Sequence, residues 1–568
     1  MYNINMIMRV YTCRMMFSKI EYGGKKMENN QKEEELLQEE TVEEAEVTAE
    51  PAAEESVKEN FDDSNASKFD KFFGISKNKT TLKIEIIAGI VTFLAMCYIL
   101  VVNPTNILFA YGGNIPSSTV TWGSVFMATA FGAVIGTLLM ALLAKMPLAQ
   151  APGMGLNFTV GTTMLGAVGG IFFTFGQAML LVLISGLIFL ILSLVPGKKD
   201  PETGRLVALR EMIFDGMPVC IRRAIPVGIG LFIAFIGLKN ASVIVDNPGT
   251  FVSLVTLNTK EAWKLGGPAC KATVCLFGFI VIVILSQLKI KGSVIIGIIV
   301  ATILAIPLKV ADIEVLKGNG AVSWKFWENF KEFFTVGKDS AFLSVFESGF
   351  EGWKGGMVMT AVVLVITFCM IDMFDTMGTV VGCATSAGLI DEDGKPLNYN
   401  KIMVSDSVAT VAGAMCGTST VTTFVESGSG IAVGGKTGVV ALVAAALFFI
   451  SVFVAPVFAF VPTEACAPAL IYVGVLMMKN VVNIDFSEIK YAAPAFLTII
   501  MMPLTYSITN GIGVGVISYV AINFVIWIVD IIKYKNGKLE NKPKLEISIV
   551  LLVIFVLFLV YFLLPTKF

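Results

Sequence analysis

The run Ala149-Gln-Ala-Pro-Gly-Met-Gly-Leu-Asn157 lies in a stretch, residues 146–197, that contains no charged side chain. Residues 86–144 just before it are equally uncharged. Because about 20 apolar residues span a bilayer, the run falls inside a membrane-spanning segment and interrupts it with one proline and two glycines. The run therefore predicts an all-α, polytopic membrane protein in which this segment is a short extended stretch followed by a half-helix.

The composition of the whole chain supports this fold class. Of 568 residues, 55% are hydrophobic and 15% are charged, against roughly 25% charged in soluble domains. The chain has no histidine, which excludes an imidazole zinc site, a Ser/His/Asp triad and a histidine pH switch. Its nine cysteines form no CxxC pair, so neither a disulfide framework nor a metal centre is expected. We predict no cofactor, and proton handling is left to carboxylates.

Apolar runs predict fourteen spans and one additional segment. The first seven lie near 84–103, 123–144, 149–166, 176–195, 224–240, 272–288 and 292–309, and the next seven lie near 357–380, 402–417, 419–436, 437–461, 465–479, 491–509 and 511–532. The additional stretch, 547–564, either spans the bilayer or lies at its surface.

The positions of lysine and arginine predict the orientation, because short cytoplasmic loops are rich in both. Alternate short loops carry them, all on one predicted side: Lys145, Arg222, Arg223, Lys289, Lys401, Lys436, Lys479 and Lys533. The N-terminus is therefore expected in the cytoplasm, and the protein in the plasma membrane.

Each half has seven predicted spans. Because seven is odd, the first half ends on the opposite side of the membrane from where it began, and the second half therefore enters from the opposite face. This is the inverted repeat of many secondary transporters. The predicted organisation is an acidic, disordered tail (1–67), a first repeat (68–310), an extracytoplasmic linker (311–356), a second repeat (357–533) and a C-terminal tail (534–568). The tail prediction rests on residues 27–63, where fifteen acidic residues accompany two lysines.

The tenth span is broken like the third. Residues 418–425 are rich in β-branched residues and extended in character, and Glu426-Ser-Gly-Ser-Gly430 then opens a short glycine-rich helix. Paired interruptions at corresponding positions of two repeats indicate a substrate site near the bilayer midplane. Half-helix N-termini there offer free N–H groups and the positive end of the helix dipole to a ligand.

Carboxylates inside predicted spans are functional candidates, because charges are costly in hydrocarbon. Asp372 and Asp375 lie three residues apart on one helical face, which Thr379 shares. Glu426 lies at the break of the tenth span. Asp406, one turn inside the ninth span, is interpreted as a helix-end or loop-anchoring group that is near enough to the cytoplasmic surface to be solvated.

One motif suggests a different function. Gly430-Ile-Ala-Val-Gly-Gly-Lys-Thr437 fits the phosphate-binding pattern GxxxxGK[ST]. That loop requires a preceding buried strand in an α/β domain, whereas here a long apolar run follows at once. We therefore interpret Lys436 as a positive-inside residue and expect no ATP site.

Four ordered motifs resemble the nucleobase:cation symporters of the xanthine/uracil permease superfamily, in particular the adenine/guanine/hypoxanthine permease branch. They are Phe72-Phe-Gly-Ile with Thr80-Thr-Leu-Lys-Ile-Glu-Ile-Ile-Ala-Gly; Ala151-Pro-Gly-Met-Gly-Leu-Asn157; Asp372-Met-Phe-Asp-Thr-Met-Gly378; and Gly417-Thr-Ser-Thr-Val-Thr-Thr-Phe-Val-Glu-Ser427 running into Gly435-Lys-Thr-Gly438. The resemblance covers residues 68–565 and implies the fourteen-segment inverted fold, split into a core and a gate domain.

The resemblance also implies site residues. Asp375 and Glu426 would contact the base, with Asn157 near them, and Asp372 would support binding or proton coupling. Related uracil and xanthine carriers often have Glu and His where this chain has Asp375 and Thr379, which makes those substrates less expected. A homodimer is a further family expectation.

Base chemistry fits these residues. A purine presents N–H donors beside ring-nitrogen acceptors, so a carboxylate can accept from the base while hydroxyls such as those of Thr379 and Ser427 meet its other edge. Phe424 offers a ring for stacking. Asp372 and Glu426 are the predicted proton carriers.

The predicted function is purine nucleobase uptake by proton symport, with the base and the bilayer as partners and no nucleic acid. Two alternatives remain at this point. One is a carrier of the same fold for uracil, xanthine or an anion. The other is a membrane-embedded hydrolase that uses Asp372 and Asp375 as an acid pair.

Overall fold

The computed structural model describes most of the chain from Ser67 onward. The described residues are 67–108, 120–164, 171–199, 206–208, 216–247, 249–290, 292–313, 315, 322–335, 340–390, 396–536, 538–539 and 541–563. The predicted acidic tail lies outside the described residues except for Ser67, as does part of the predicted linker.

The first half is helical apart from short strands. Its elements are α1 (Lys68–Phe73), α2 (Leu82–Met96), α3 (Ile99–Leu108), α4 (Trp122–Leu139, extended by a wider turn at Met140–Ala144), β1 (Gln150–Pro152), α5 (Met154–Met164), α6 (Phe175–Leu194), β2 (Pro196–Lys199), β3 (Leu206–Ala208), α7 (Val219–Asn240), β4 (Ile244–Asn247), β5 (Phe251–Leu254), α8 (Pro268–Gln287) and α9 (Ser293–Ala305).

The second half is also mostly helical. Its elements are α10 (Phe326–Phe334), α11 (Ser344–Glu347), α12 (Gly355–Ala387), α13 (Tyr399–Cys416), β6 (Val421–Thr423), α14 (Ser427–Ile431), α15 (Gly438–Ser451), α16 (Ala455–Ala459), α17 (Thr463–Met478), α18 (Ile489–Leu504), α19 (Ile508–Lys535) and α20 (Ile549–Leu563).

Local sequence signals begin several of these helices. Thr81 and Thr121 accept hydrogen bonds from backbone N–H groups in the first turns of α2 and α4. Thr174 forms a reciprocal capping box with Gln177 at the start of α6. Such caps satisfy backbone donors that the helix leaves unpaired, which matters most where water is absent.

Nine helical stretches among the described residues are long and apolar enough to cross a membrane. The remaining predicted spans coincide with α9, α13, α18 and the two broken segments, so the chain is a multi-pass membrane protein compatible with the fourteen-segment arrangement. The additional C-terminal segment is α20, whose 15 residues are fewer than the roughly 20 that a perpendicular span needs.

The two predicted interruptions are confirmed. Each consists of a three-residue strand followed by a helix, β1 before α5 and β6 before α14. The two strands pair antiparallel, with Gln150 opposite Thr423 and Pro152 opposite Val421. Pairing satisfies backbone groups that an interrupted helix leaves open, and it joins the two halves of the chain inside the protein.

The helices pack into two groups. The core group comprises α2–α6 and α12–α15, in which α13 packs on α4 and α6, and α15 packs on α2 and α4. The gate group comprises α7–α9 and α17–α19, in which α7 packs on α17 and α18, and α8 packs on α9 and α17. The β1–β6 pair lies in the core group, beside α4, α12 and α13.

Candidate functional site

A cavity of about 660 Å³ lies between the core group and the gate group. The core group contributes residues from the two broken segments and from α12. The gate group contributes an almost wholly apolar wall, formed by Pro226, Ile229, Ile233, Val473, Leu476 and Met477. This volume lies in the range typical of small-molecule sites.

The core wall of the cavity is acidic. Asp375 and Thr379 lie one turn apart on α12, and Glu426 immediately precedes α14. Phe424 and Asn480 also line the cavity, and none of its described lining residues carries a positive charge. The arrangement offers hydrogen-bond acceptors on one side and an apolar surface on the other, which suits a flat ligand with several N–H donors.

Tyr98 fixes one of the two acidic side chains. Its hydroxyl donates to Oε1 of Glu426 at 2.7 Å, and Tyr98 itself is 2% exposed. Tyr98 lies at the short break between α2 and α3. Sequence reasoning did not select it, although a tyrosine in an apolar span is a usable signal, since a buried hydroxyl requires a partner.

Asp406 lies at the centre of a hydrogen-bond network behind the cavity. It is 0% exposed, and it accepts from Nε2 of Gln150 at 2.6 Å, from Oγ1 of Thr376 at 2.8 Å and from Oγ1 of Thr423 at 3.2 Å. The expectation that it is solvated near the cytoplasmic surface is wrong, because the side chain is buried among these donors. The carboxylate instead ties β1, α12 and β6 together at the point where the two halves meet.

Asp372 lies in the same buried layer. Its Oδ2 accepts from Oγ1 of Thr410 at 2.8 Å, and the side chain does not line the cavity. Its i, i+3 relation to Asp375 is as the sequence suggests, but only Asp375 reaches the cavity.

Two other predicted site residues lie beside the cavity and do not line it. Asn157, on α5, is fully buried, and its Oδ1 accepts from the hydroxyl of Ser419. Ser427 is also fully buried, and its Oγ accepts from the backbone N–H of Ala149 at 3.0 Å. Both hydroxyl contacts link the third segment to the tenth, so these residues hold the two breaks together in this structure.

The cavity extends along α12 toward the end of that helix. Gly378 and Gly382 follow Asp375 at successive turns, and Ser386 lines the cavity one residue before α12 ends. A Cβ atom added at Gly378 or Gly382 would meet no atom within 4 Å. The cavity is therefore open beside both glycines, and it forms a path from the carboxylates toward the end of α12.

Comparison with known proteins places the chain in a family. Residues 83–514 match the family model Xan_ur_permease, described as Permease family. The chain belongs to this family. The resemblance seen in the four motifs is thereby confirmed, and the protein is a permease and not an enzyme.

Two relatives are similar to this permease over most of its length. The chain is 34% identical over 485 residues to the adenine permease AdeP of Escherichia coli, and the alignment covers 85% of this chain and 95% of that protein. It is 34% identical over 462 residues to the guanine/hypoxanthine permease PbuG of Bacillus subtilis, covering 79% and 92%.

A solved structure supports the fold alone. The transmembrane domain of a cyanobacterium bicarbonate transporter, BicA, superposes with a TM-score of 0.50 at 15% identity, covering 77% of this chain and 97% of that one.

Proposed function

We propose that this permease takes up the purine bases adenine, guanine and hypoxanthine by proton symport with alternating access. The observation that carries the proposal is the cavity itself, in which Asp375 and Glu426 stand on one wall and apolar side chains form the other. Relatives named adenine permease and guanine/hypoxanthine permease support the substrate class.

The base binds by its edge and by its faces. Ring and exocyclic N–H groups donate to Asp375 and Glu426, while the Thr379 hydroxyl serves as donor or acceptor for a neighbouring position. The purine faces lie against Phe424 and the apolar gate wall. Asn157 and Ser427 contribute by holding the third and tenth segments in register.

The proton travels on the same group of carboxylates. Glu426 is the proposed carrier in contact with the base, and Asp372 is the second carrier in the layer behind. Neighbouring buried carboxylates share protons as a unit, so base binding at one of them changes proton occupancy across the group. Proton uptake on one side and release on the other then couple base movement to the proton gradient.

Alternating access follows from the position of the cavity between the two groups. The cavity reaches the ends of α12 and α17, near Ser386, Met477 and Asn480. Lys479 follows α17 directly, and the positive-inside rule assigns that face to the cytoplasm. The proposed orientation thus makes this structure inward-open, and movement of the core group against the gate group would expose the same site to the outside.

An anion is a poor cargo for this site. The cavity wall presents two carboxylates and, among its described lining residues, no lysine or arginine to offset the charge of an anion.

Uptake by cells that lack their own base carriers tests the proposal. Radiolabelled hypoxanthine, guanine, adenine and uracil are each supplied with and without a protonophore. We expect saturable uptake of the purines that collapses with the proton gradient, and little uptake of uracil. Absence of purine uptake while the protein is present in the membrane would overturn the substrate class, and uptake that is indifferent to the protonophore would overturn the coupling.

A further inference from the structure

The phosphate-loop-like turn Gly430–Thr437 binds an anion from within the chain. Backbone N–H groups of Lys436 and Thr437 donate to Oε1 and Oε2 of Glu85 at 2.9 and 3.2 Å, and Oγ1 of Thr437 donates to Oε2 at 2.7 Å. Glu85 is 0% exposed. The donors that would cradle a phosphate are thus occupied by a buried carboxylate from the first turn of α2.

The same turn lies directly against α2. A Cβ atom added at Gly430 would stand 2.1 Å from Oγ1 of Thr92 and 2.7 Å from the backbone oxygen of Ala88. Only glycine permits this approach, so the C-terminal end of α14 and helix α2 are in backbone contact.

The other end of α14 is held by the same part of the chain. Glu426 immediately precedes α14 and accepts from Tyr98, which follows α2. Glu85 accepts from Lys436 in the turn that follows α14, and Lys436 lies ten residues after Glu426.

Helix α14 has only 5 residues, and backbone hydrogen bonds run along it into the turn, from the Ser429 N–H to the Glu426 carbonyl at 2.9 Å and from the Gly435 N–H to the Gly430 carbonyl at 3.1 Å. We therefore expect a shift of the turn to move Glu426.

We propose that Glu85 is a positioning residue for Glu426, acting through the turn and α14 to hold that carboxylate at its place in the cavity. The inference rests on the proposed function, since it is base binding that the placement serves. Glu85 does not line the cavity, so its effect on the base is wholly indirect. Loss of one hydrogen bond between the base and a charged group weakens binding by about 10- to 100-fold.

Transport kinetics of Glu85→Ala and Glu85→Gln test this, with rates expressed per molecule in the membrane. We expect Glu85→Ala to raise KM for the base at least tenfold, with a smaller change in maximal rate. Glu85→Gln should raise KM less, because its amide oxygen still accepts from a backbone N–H group.

The matched control is Glu464→Gln. Glu464 is a buried carboxylate of the gate group, paired with Lys271 at 2.8 Å and far along α17 from the cavity. This variant should lower the amount of folded protein and leave KM unchanged. Thr437→Val, which removes one donor to Glu85, provides a second test if Glu85→Ala fails to reach the membrane, and its expected rise in KM is about threefold.

The outcomes separate the two claims. If the wild type carries no base, the proposed function fails and the positioning role fails with it. If the wild type transports the base but the Glu85 and Thr437 variants keep the wild-type KM, the positioning role is overturned while the proposed function stands. The same holds if these variants differ from the wild type only in the amount of protein in the membrane.

Discussion

At the residue scale, the sequence identified the acidic side chains as site candidates, but it did not identify their hydrogen-bond partners. Asp375 and Glu426 stand out because a carboxylate is costly in hydrocarbon and therefore rare there. Tyr98 donates to Glu426 across 328 residues of sequence, and no local pattern marks such a pair. Whether a given polar side chain lines the cavity, as Thr379 does, or lies beside it, as Asn157 does, depends on helix rotation that the sequence does not determine.

Tyr98→Phe should weaken base binding without unfolding the protein. The change removes one hydroxyl and leaves the ring, so Glu426 loses its fixed partner. A hydrogen bond to a charged group is worth about 1.5–3 kcal/mol, and we expect KM for uptake to rise about tenfold. Tyr534→Phe, at an exposed position near the end of α19, is the control. An unchanged KM in Tyr98→Phe would show that the hydroxyl does not orient Glu426 for the base.

Glu426→Gln should abolish uptake while the protein remains in the membrane. The amide keeps the shape of the side chain, but it carries no negative charge and accepts no proton. Uptake is measured across a range of external pH, alongside the amount of membrane-inserted protein. Normal transport at all pH values would remove Glu426 from both base binding and proton coupling.

At the element scale, the sequence predicted where the third and tenth segments break, but not that β1 and β6 pair. The breaks are local, because Pro152 and Gly153 interrupt one helix and a β-branched run replaces the other. Pairing of two three-residue strands joins distant parts of the chain, so it depends on the packing of all the surrounding helices. The burial of Asp406 was missed for the same reason, since two of its partners lie on these strands.

Asp406→Ala should destabilise the core group. It leaves the Gln150 amide and the hydroxyls of Thr376 and Thr423 without their buried acceptor, at a cost of about 3 kcal/mol or more. We expect the melting temperature of the purified protein to fall by at least about 5 °C. The control is Asp485→Asn, at an exposed position before α18. Equal melting temperatures for Asp406→Ala and wild type would contradict the central role of this network.

Gly382→Leu should block transport and leave the fold intact. A side chain at this position meets no protein atom near its Cβ and projects into the cavity, and leucine favours a helix over glycine by nearly 1 kcal/mol. Gly355→Leu is the matched control, since Gly355 begins the same helix, has equally open surroundings and does not line the cavity. We expect normal amounts of both variants and loss of uptake only for Gly382→Leu; rapid uptake by that variant would show that the path lies elsewhere.

At the scale of the whole molecule, hydropathy alone predicted the nine long apolar helices found among the described residues, because spanning helices must be long and apolar. The division into core and gate groups came only from the resemblance and then from the packing. Most of the spans are apolar on all sides, so the sequence of each helix does not reveal which neighbour it contacts. The cavity arises where an acidic wall from one group meets an apolar wall from the other, and neither group contains the site alone.

The central claim is that a purine base and a proton move together through this cavity. The most direct measurement is uptake of radiolabelled hypoxanthine by proteoliposomes that hold the purified protein, with and without an inwardly directed proton gradient. We predict accumulation above the external concentration only when the gradient is imposed, and none with Glu426→Gln. Equal uptake with and without the gradient would contradict proton symport, and no uptake by the wild type in either condition would contradict base transport itself.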